Sequence, residues 1–377
     1  TNGSDIQISN TNITGNSPQA IHAGHNDSWQ LSSNISISYS NIEGGLDSVR
    51  LNGTPFSQVD TSNIVSTLMW GLGNTDTKPE FVDAPNNDFS LLASSKLINA
   101  GDINLFDNDG TRLDIGAFSY FNSYTGPNWF VSNDGNNLTA TGAVGNPFRS
   151  IQAALNFGND GDTAYVSSGI YTENLVYRRD ESESIRSVSL VGEGKETTII
   201  DGQGIDICIK FPMNGYSSTS ISGFTIRNGY ADGNMVDDAW NRGGGISIYQ
   251  NYNSIKLQDL NINNCTSTWD GGGIYSHGSA LEMDNISLLD NTADALGGGI
   301  SFITDNPEHT LTILNTNFNG NSSDNGGALF LDGGEALITN SQFLNNNSSG
   351  AGGGLYFVSG DVVIKESDIM NNYAVGS

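Results

Sequence analysis

Basic residues are scarce in this chain. Its 377 residues hold 14 Lys and Arg against 41 Asp and Glu, a formal charge of −27. Nucleic acid is excluded as a partner, because phosphate contacts need Lys and Arg. An anionic polysaccharide would be repelled unless cations bridged it, whereas a soluble surface or a Ca²⁺-rich setting suits the sign. Cysteine is nearly absent. Cys208 and Cys265 are too few for a disulfide framework, and a single bond between them stays open. No stretch approaches 18 apolar residues, so no membrane span is expected. The four histidines, His22, His25, His277 and His309, are dispersed without metal-ligand spacing. A leader is also missing. The chain opens on strand and turn and stops in mid-pattern, which reads as a piece of a longer polypeptide, so the missing leader carries no information about location.

What the chain does have is glycine, 47 of them, with abundant Asn, Ser and Thr and 36% hydrophobic residues. Such a mix suits many short strands joined by polar turns. Glycine clusters recur at Gly243, Gly271, Gly297, Gly326 and Gly352, at spacings of 28, 26, 29 and 26. Apolar residues fall at fixed offsets from each cluster. Ile246, Ile274, Ile300, Leu329 and Leu355 lead a first alternating pair. Ile255, Leu281, Leu311, Ala336 and Val362 lead a second, and Ile262, Leu288, Phe318, Phe343 and Ile369 stand alone further on. Period-two alternation means strand. Three short strands per unit describe one coil of a parallel β-helix, in which coils stack about 4.8 Å apart. One loop absorbs the length differences, which is how a solenoid takes insertions. An Asn-rich turn precedes each cluster. Asn tolerates left-handed backbone and can bond along the stack to the next Asn.

The first third reads differently. Residues 34–45 look like a coil, and 78–121 like a closing region. A Gly-Pro connector follows at 122–128, and a new start at 128–177 contains the one convincing helix, from about Ser150 to Phe157. The expected fold class is all-β: the end of one right-handed parallel β-helix (1–121), a linker (122–128), and the opening of a second with a short capping helix (129–377).

The segment "WFVSNDG…GNPFRSIQAAL…DGDTAYVSSGIYTENL…SVSLVGEGKETTIIDG" is similar to the opening of bacterial secreted right-handed β-helix proteins of the pectate-lyase-like superfamily. "ISYSNIEGG…PEFVDAPNNDFSLLASSKLINAGD…DGTRLDIGAFSYF" resembles the closing region of that group. The resemblance implies secretion to the cell surface or beyond, and tandem modules in a large surface protein. It is weak for activity, because the group hosts lyases, hydrolases, epimerases and adhesins.

Candidate sites are few. Outward positions of the first strand in each repeat contain no Lys or Arg, and Arg227 and Arg242 lie near no recognisable acid cluster. Asp237 and Asp238 are the weak candidates for a carboxylate pair, set against a solvated loop. Tyr249, Tyr275, Phe330 and Tyr356 are candidates for an outward aromatic ladder that binds glycans, set against rings that merely shield a sheet. Asp107, Asp109 and Asp114 surround a glycine turn in a pattern that offers oxygens to Ca²⁺, set against a self-capping polar turn. No cofactor is required. Two functional readings follow. One is an extracellular structural or adhesive module that binds polysaccharide or other surface glycans. The other is a carbohydrate-active enzyme, a polysaccharide lyase or glycoside hydrolase, with its site in the variable loops or outside this chain. End-to-end self-association through an uncapped coil is a further expectation.

Overall fold

A computed structural model describes residues 5–17, 19–23, 34–51, 54–55, 68–177, 186–212, 218–233, 235–236, 239–250 and 254–376. The expected right-handed parallel β-helix is the architecture found: an all-β solenoid of about 11 turns, with a single α-helix among the described residues. The chain divides into two compact units, Thr1–Asn122 and Ser123–Ser377.

In the first unit, strands Asp5–Ser9, Asn34–Ser38 and Leu68–Trp70 stack in parallel. Ile35, Ile37, Ile42 and Val49 are buried there against Ile8, Ile13, Ile21, Leu68 and Trp70. The rest of the unit leaves the coil pattern. Phe81–Asp83 and Asp88–Leu91 pair antiparallel around a 3₁₀ turn, Ala84–Asn86, and Leu97, Ile98 and Ile115 are fully buried. Asn10 ties this region to the coils, accepting the Asp102 N–H on its side chain (2.6 Å) and the Gly116 N–H on its carbonyl (3.1 Å).

The second unit opens on Asn128–Val131 and the helix Ile151–Phe157, one residue shorter at its start than expected. Ser150 occupies the N-cap position, but its side chain makes no capping bond. Glu173, from a later turn of chain, does so instead. Its carboxylate accepts the N–H groups of Ile151 (2.8 Å) and Gln152 (3.0 Å). Two donors that a helix start leaves orphaned are thereby satisfied, with a charge of the favourable sign. Gly158 closes the helix with a 2.9 Å bond to Ala154 O.

From there the inward residues of successive coils pair in register, with a bulge only at Asp332 in the last pair of long strands. Ile246 pairs with Ile274, Ile274 with Ile300, Ile300 with Leu329, and Leu329 with Leu355. Ile255, Leu281, Leu311, Ala336 and Val362 make a second column, and Ile262, Leu288, Phe318, Phe343 and Ile369 a third. The first four residues of the first column are 0% exposed. Burying such a side chain contributes roughly 1.5–3 kcal/mol, so each coil adds its own core layer. Phe318 and Phe343 stack ring on ring at 4.6 Å.

Two columns of turn residues hold the corners. Asn264, Asp290, Gly320, Asn345 and Asn371 all adopt positive φ at one corner, where Asn and Gly carry the least strain. Next to them run Asn291, Asn321, Asn346 and Asn372. Each side-chain amide of the first three donates to the Oδ1 of the next at 2.8–3.0 Å. Each Oδ1 of the last three also accepts the backbone N–H of the previous rung. A buried polar column is tolerated only because every member is paired.

Candidate functional site

The strongest cluster of chemistry-bearing side chains lies on the outer face of the first-strand sheet. Register aligns Lys210, Ser247, Tyr275, Ser301, Phe330 and Tyr356 in one outward column, and Tyr249, His277, Ile303 and Asp332 in the next. The residue just before each glycine cluster also stacks from coil to coil, which brings Arg242 over Asp270. Their ion pair is short, with side chains only 16% and 4% exposed. The Arg242 guanidinium also lies 5.1 Å from the Trp269 ring and 5.4 Å from the Tyr275 ring, and approaches the Tyr275 hydroxyl at 3.5 Å. Cation–π attraction therefore adds to the ion pair.

Rings continue the cluster. Tyr249 stacks on His277 at 4.9 Å and on Tyr275 at 6.4 Å. Trp269 is 49% exposed and forms the open edge. Gly233 is packed beneath it, where an added Cβ would come 1.8 Å from the indole. On the neighbouring coil Lys210 donates to Asn241 Oδ1 (2.8 Å) and lies 3.7 Å from Asp206, while Asn241 donates to Asp232 (3.0 Å).

Burial shapes the electrostatics. It pushes the Asp270 carboxyl above the usual carboxylate range, against the pull of Arg242 and a backbone hydrogen bond at Leu296. It likewise raises the Tyr275 phenol. His277 moves the other way: burial lowers it, Asp305 opposes, and Arg242 adds to the lowering. His277 Nδ1 and Asp270 Oδ1 are both buried without a hydrogen-bond partner. An imidazole with lowered proton affinity and a carboxyl with raised proton affinity thus lie beside one arginine.

The sequence-predicted residues fare unevenly. Tyr249, Tyr275, Phe330 and Tyr356 do share the outer face, but they do not make one ladder. Ser301 separates Tyr275 from Phe330, leaving a Tyr249–Tyr275–His277 group and a Phe330–Tyr356 pair (5.7 Å). Tyr275 is 1% and Phe330 5% exposed, so only Tyr249 and Tyr356 keep partly open faces. Asp237 and Asp238 lie outside the described residues. Asp107, Asp109 and Asp114 do share a turn, but their oxygens are engaged locally. Asp107 accepts from Asp114 N (3.0 Å) and Ser119 Oγ; Asp109 accepts from Thr111 N (3.0 Å) and Oγ1 (2.7 Å). Asp114 accepts from Asn99 N (2.7 Å) and Tyr120 N (2.6 Å). Among the described residues no three His, Cys, Asp or Glu side chains gather as a metal site.

The outward positions of the five repeats carry no Lys or Arg, but Lys210 stands in the same column one coil earlier, and Arg242 folds against it. Both arginines have acids, Arg242 with Asp270 and Arg227 with Asp201 (2.8 Å). The signal was available, because Arg242 and Asp270 occupy the same repeat position. A separate concavity of about 360 Å³, lined by Gln203, Asn228, Tyr230, Asn264 and Thr266, carries no charged side chain.

This is a parallel β-helix protein, and the comparisons with known proteins take it no further than that. No known family model matches the chain. Metabotropic glutamate receptor-like protein P of Dictyostelium discoideum is 30% identical over 140 residues, which is 37% of this chain and 8% of that protein. Among solved β-helix structures, pectin methylesterase PemA from Erwinia chrysanthemi is 14% identical with a TM-score of 0.31, covering 60% of this chain and 67% of that one. Pectin methylesterase from carrot is 11% identical with a TM-score of 0.36, covering 67% and 86%. The PL6 family alginate lyase AlyGC is 11% identical with a TM-score of 0.33, and 99% of this chain spans 58% of it. Likeness at this level transfers neither substrate nor reaction. No helix among the described residues is long and apolar enough to cross a membrane.

Proposed function

We propose that this chain is a carbohydrate-directed β-helical module of an extracellular or cell-surface protein. Its binding face is built from Tyr249, Trp269 and His277 beside the Arg242–Asp270 pair. The observation that carries the reading is the stacked ring group with an open Trp269 edge, since flat aromatic faces suit the apolar faces of sugar rings. A charge of −27 favours neutral glycans over acidic ones. A glycan array with the intact chain tests this: binding to a neutral glycan is expected, weakened at least tenfold by Trp269→Ala or Tyr249→Ala. Binding that survives both substitutions unchanged, or no binding at all, refutes it.

A second reading, a carbohydrate-active enzyme at the same face, is favoured by one feature. Asp270 and His277 have proton affinities displaced in opposite directions and each keeps an unpaired buried atom. General acid–base work needs such a pair near the operating pH. A polysaccharide depolymerisation and de-esterification screen separates the two. Turnover abolished by His277→Gln would establish the enzyme, and binding without turnover the module.

A further inference from the structure

Cys208 and Cys265 are 57 positions apart, yet both are 0% exposed. Each thiol donates to a backbone carbonyl, Cys208 to Arg227 O (3.2 Å) and Cys265 to Asn263 O (3.4 Å), and the neighbouring Cys265 together with burial raises the Cys208 thiol. The stacking explains how they meet. Gly229, Cys265, Asn291, Asn321, Asn346 and Asn372 form one column by register. Cys265 is the terminal rung of the asparagine ladder: its N–H donates to Asn291 Oδ1 at 3.0 Å. One coil earlier the column holds Gly229, which has no side chain to continue it. Cys208 Sγ lies by that position from the residue just before the strand Ile209–Phe211, so close that a Cβ on Gly229 would come 2.8 Å from it and one on Gly202 2.9 Å. A Cβ on Gly245 would come 3.3 Å from Cys265 Sγ, and Cys208 N–H bonds to Gly244 O, one coil on, at 3.2 Å. Three glycines thus lie against the two sulfurs where backbones also approach closely.

We infer that Cys208 and Cys265 are a disulfide-forming pair that staples the opening coils of the second unit at the point where the asparagine ladder ends. In the structure both thiols are free. The reaction is exchange with a low-molecular-weight disulfide. One cysteine thiolate attacks it and releases one small thiol, leaving a mixed disulfide. The second cysteine then attacks that sulfur and releases the other small thiol. Two protein S–H bonds are lost and one S–S bond forms; the small disulfide takes the two electrons and becomes two thiols. Both thiols are sealed inside the closed coils, out of reach of a dissolved disulfide, so the bond forms while the coils assemble. The crosslink restrains the unfolded chain across the 57 positions that separate the two cysteines.

The test refolds the intact chain from denaturant with oxidised or with reduced glutathione, then alkylates it under denaturing conditions. With only two cysteines, the result is unambiguous. Oxidised refolding is expected to give no alkylation, a Cys208–Cys265 crosslinked peptide by mass spectrometry in monomeric protein, and a Tm roughly 5 °C or more above the reduced form. Cys208→Ser should remove the difference between the two conditions. Two alkylated thiols after oxidative refolding, a disulfide found only between chains, or a crosslinked form no more stable than the reduced one would each overturn the inference. The first two readouts need no variant to fold.

Discussion

Replacing Asn321 with Ala should destabilise the second unit far more than any exposed asparagine can. Asn321 is 0% exposed and makes four side-chain bonds. Its Oδ1 accepts Asn291 N–H (3.1 Å) and Asn291 Nδ2 (3.0 Å). Its Nδ2 donates to Leu288 O (2.9 Å) and Asn346 Oδ1 (3.0 Å). Truncation does not orphan every partner. Asn346 Oδ1 keeps the Asn321 backbone N–H, and Asn291 Nδ2 keeps Ile262 O. The backbone N–H of Asn291 loses its acceptor. A buried orphan of that kind costs about 1–3 kcal/mol, and the weakened partners add about 1 kcal/mol each, giving about 3–5 kcal/mol in all. Asn340 is the control. It is exposed, sits at φ +49, and its side chain makes one bond, donating to Asn315 Oδ1 (2.6 Å). Asn340→Gly keeps the backbone relaxed and should cost less than about 1 kcal/mol. Urea titration measures the difference, with hydrogen exchange reporting the Asn291 amide directly. Equal midpoints for the two variants, or an Asn291 amide as protected as before, would refute the claim that the ladder supports the stack.

Three other outcomes follow from the same geometry. Arg242→Gln leaves the Asp270 carboxyl buried without its countercharge and should cost about 3 kcal/mol by thermal or urea unfolding, whereas Asp270→Asn beside it should restore part of the loss. Gly298→Ala places a Cβ 2.4 Å from the Gly327 and Ser322 carbonyl oxygens of the next coil, and a midpoint shift below about 1 kcal/mol would show that the coils can separate there. Asp114 is pushed up to about 7, chiefly by burial. Its folded value exceeds the unfolded 3.8, so its contribution is complete below about pH 4 and is lost as pH rises through about 7, to a limit of about 4 kcal/mol. Unfolding of the first unit followed between pH 4 and 8 should show the decline, and Asp114→Asn should flatten it.

The inward columns were legible because burial on one face imposes period two, and a coil that repeats must place like residues at like offsets. Ile246 through Leu355 could therefore be aligned from glycine spacing alone. The asparagine turns were equally open, since left-handed backbone selects Asn and Gly. The helix was readable from Ile151, Ala154 and Leu155, but its cap was not: Glu173 reaches it from 22 residues away, and no local signal marks such a partner. The site was harder. Tyr275 alternates outward like an exposed residue, yet Arg242 and Tyr249 cover it, and alternation reports direction rather than exposure. The Asp107 turn shows the converse difficulty, because carboxylates arranged around a glycine bend look the same whether they serve a cation or their own backbone.

The irregular positions nevertheless gather. From Gly271 onward the ladder column reads Asn at every coil, and the position before the glycines reads Leu, Asn and Ala after Asp270. Only the earlier coils replace ladder residues by Gly229 and Cys265 and put an arginine and an aspartate before the glycines. A solenoid gains its stability from contacts repeated between identical neighbours, so a departure at one coil forfeits the pairing of that rung and weakens only the adjoining interfaces. Such departures persist most readily where they are grouped and where some other contact compensates. Here the compensation is visible as the Arg242–Asp270 pair, the rings stacked on it and the two sulfurs beneath. Substitutions in coils after Gly297 should therefore change stability and leave ligand recognition intact, while those between Lys210 and His277 should separate the two.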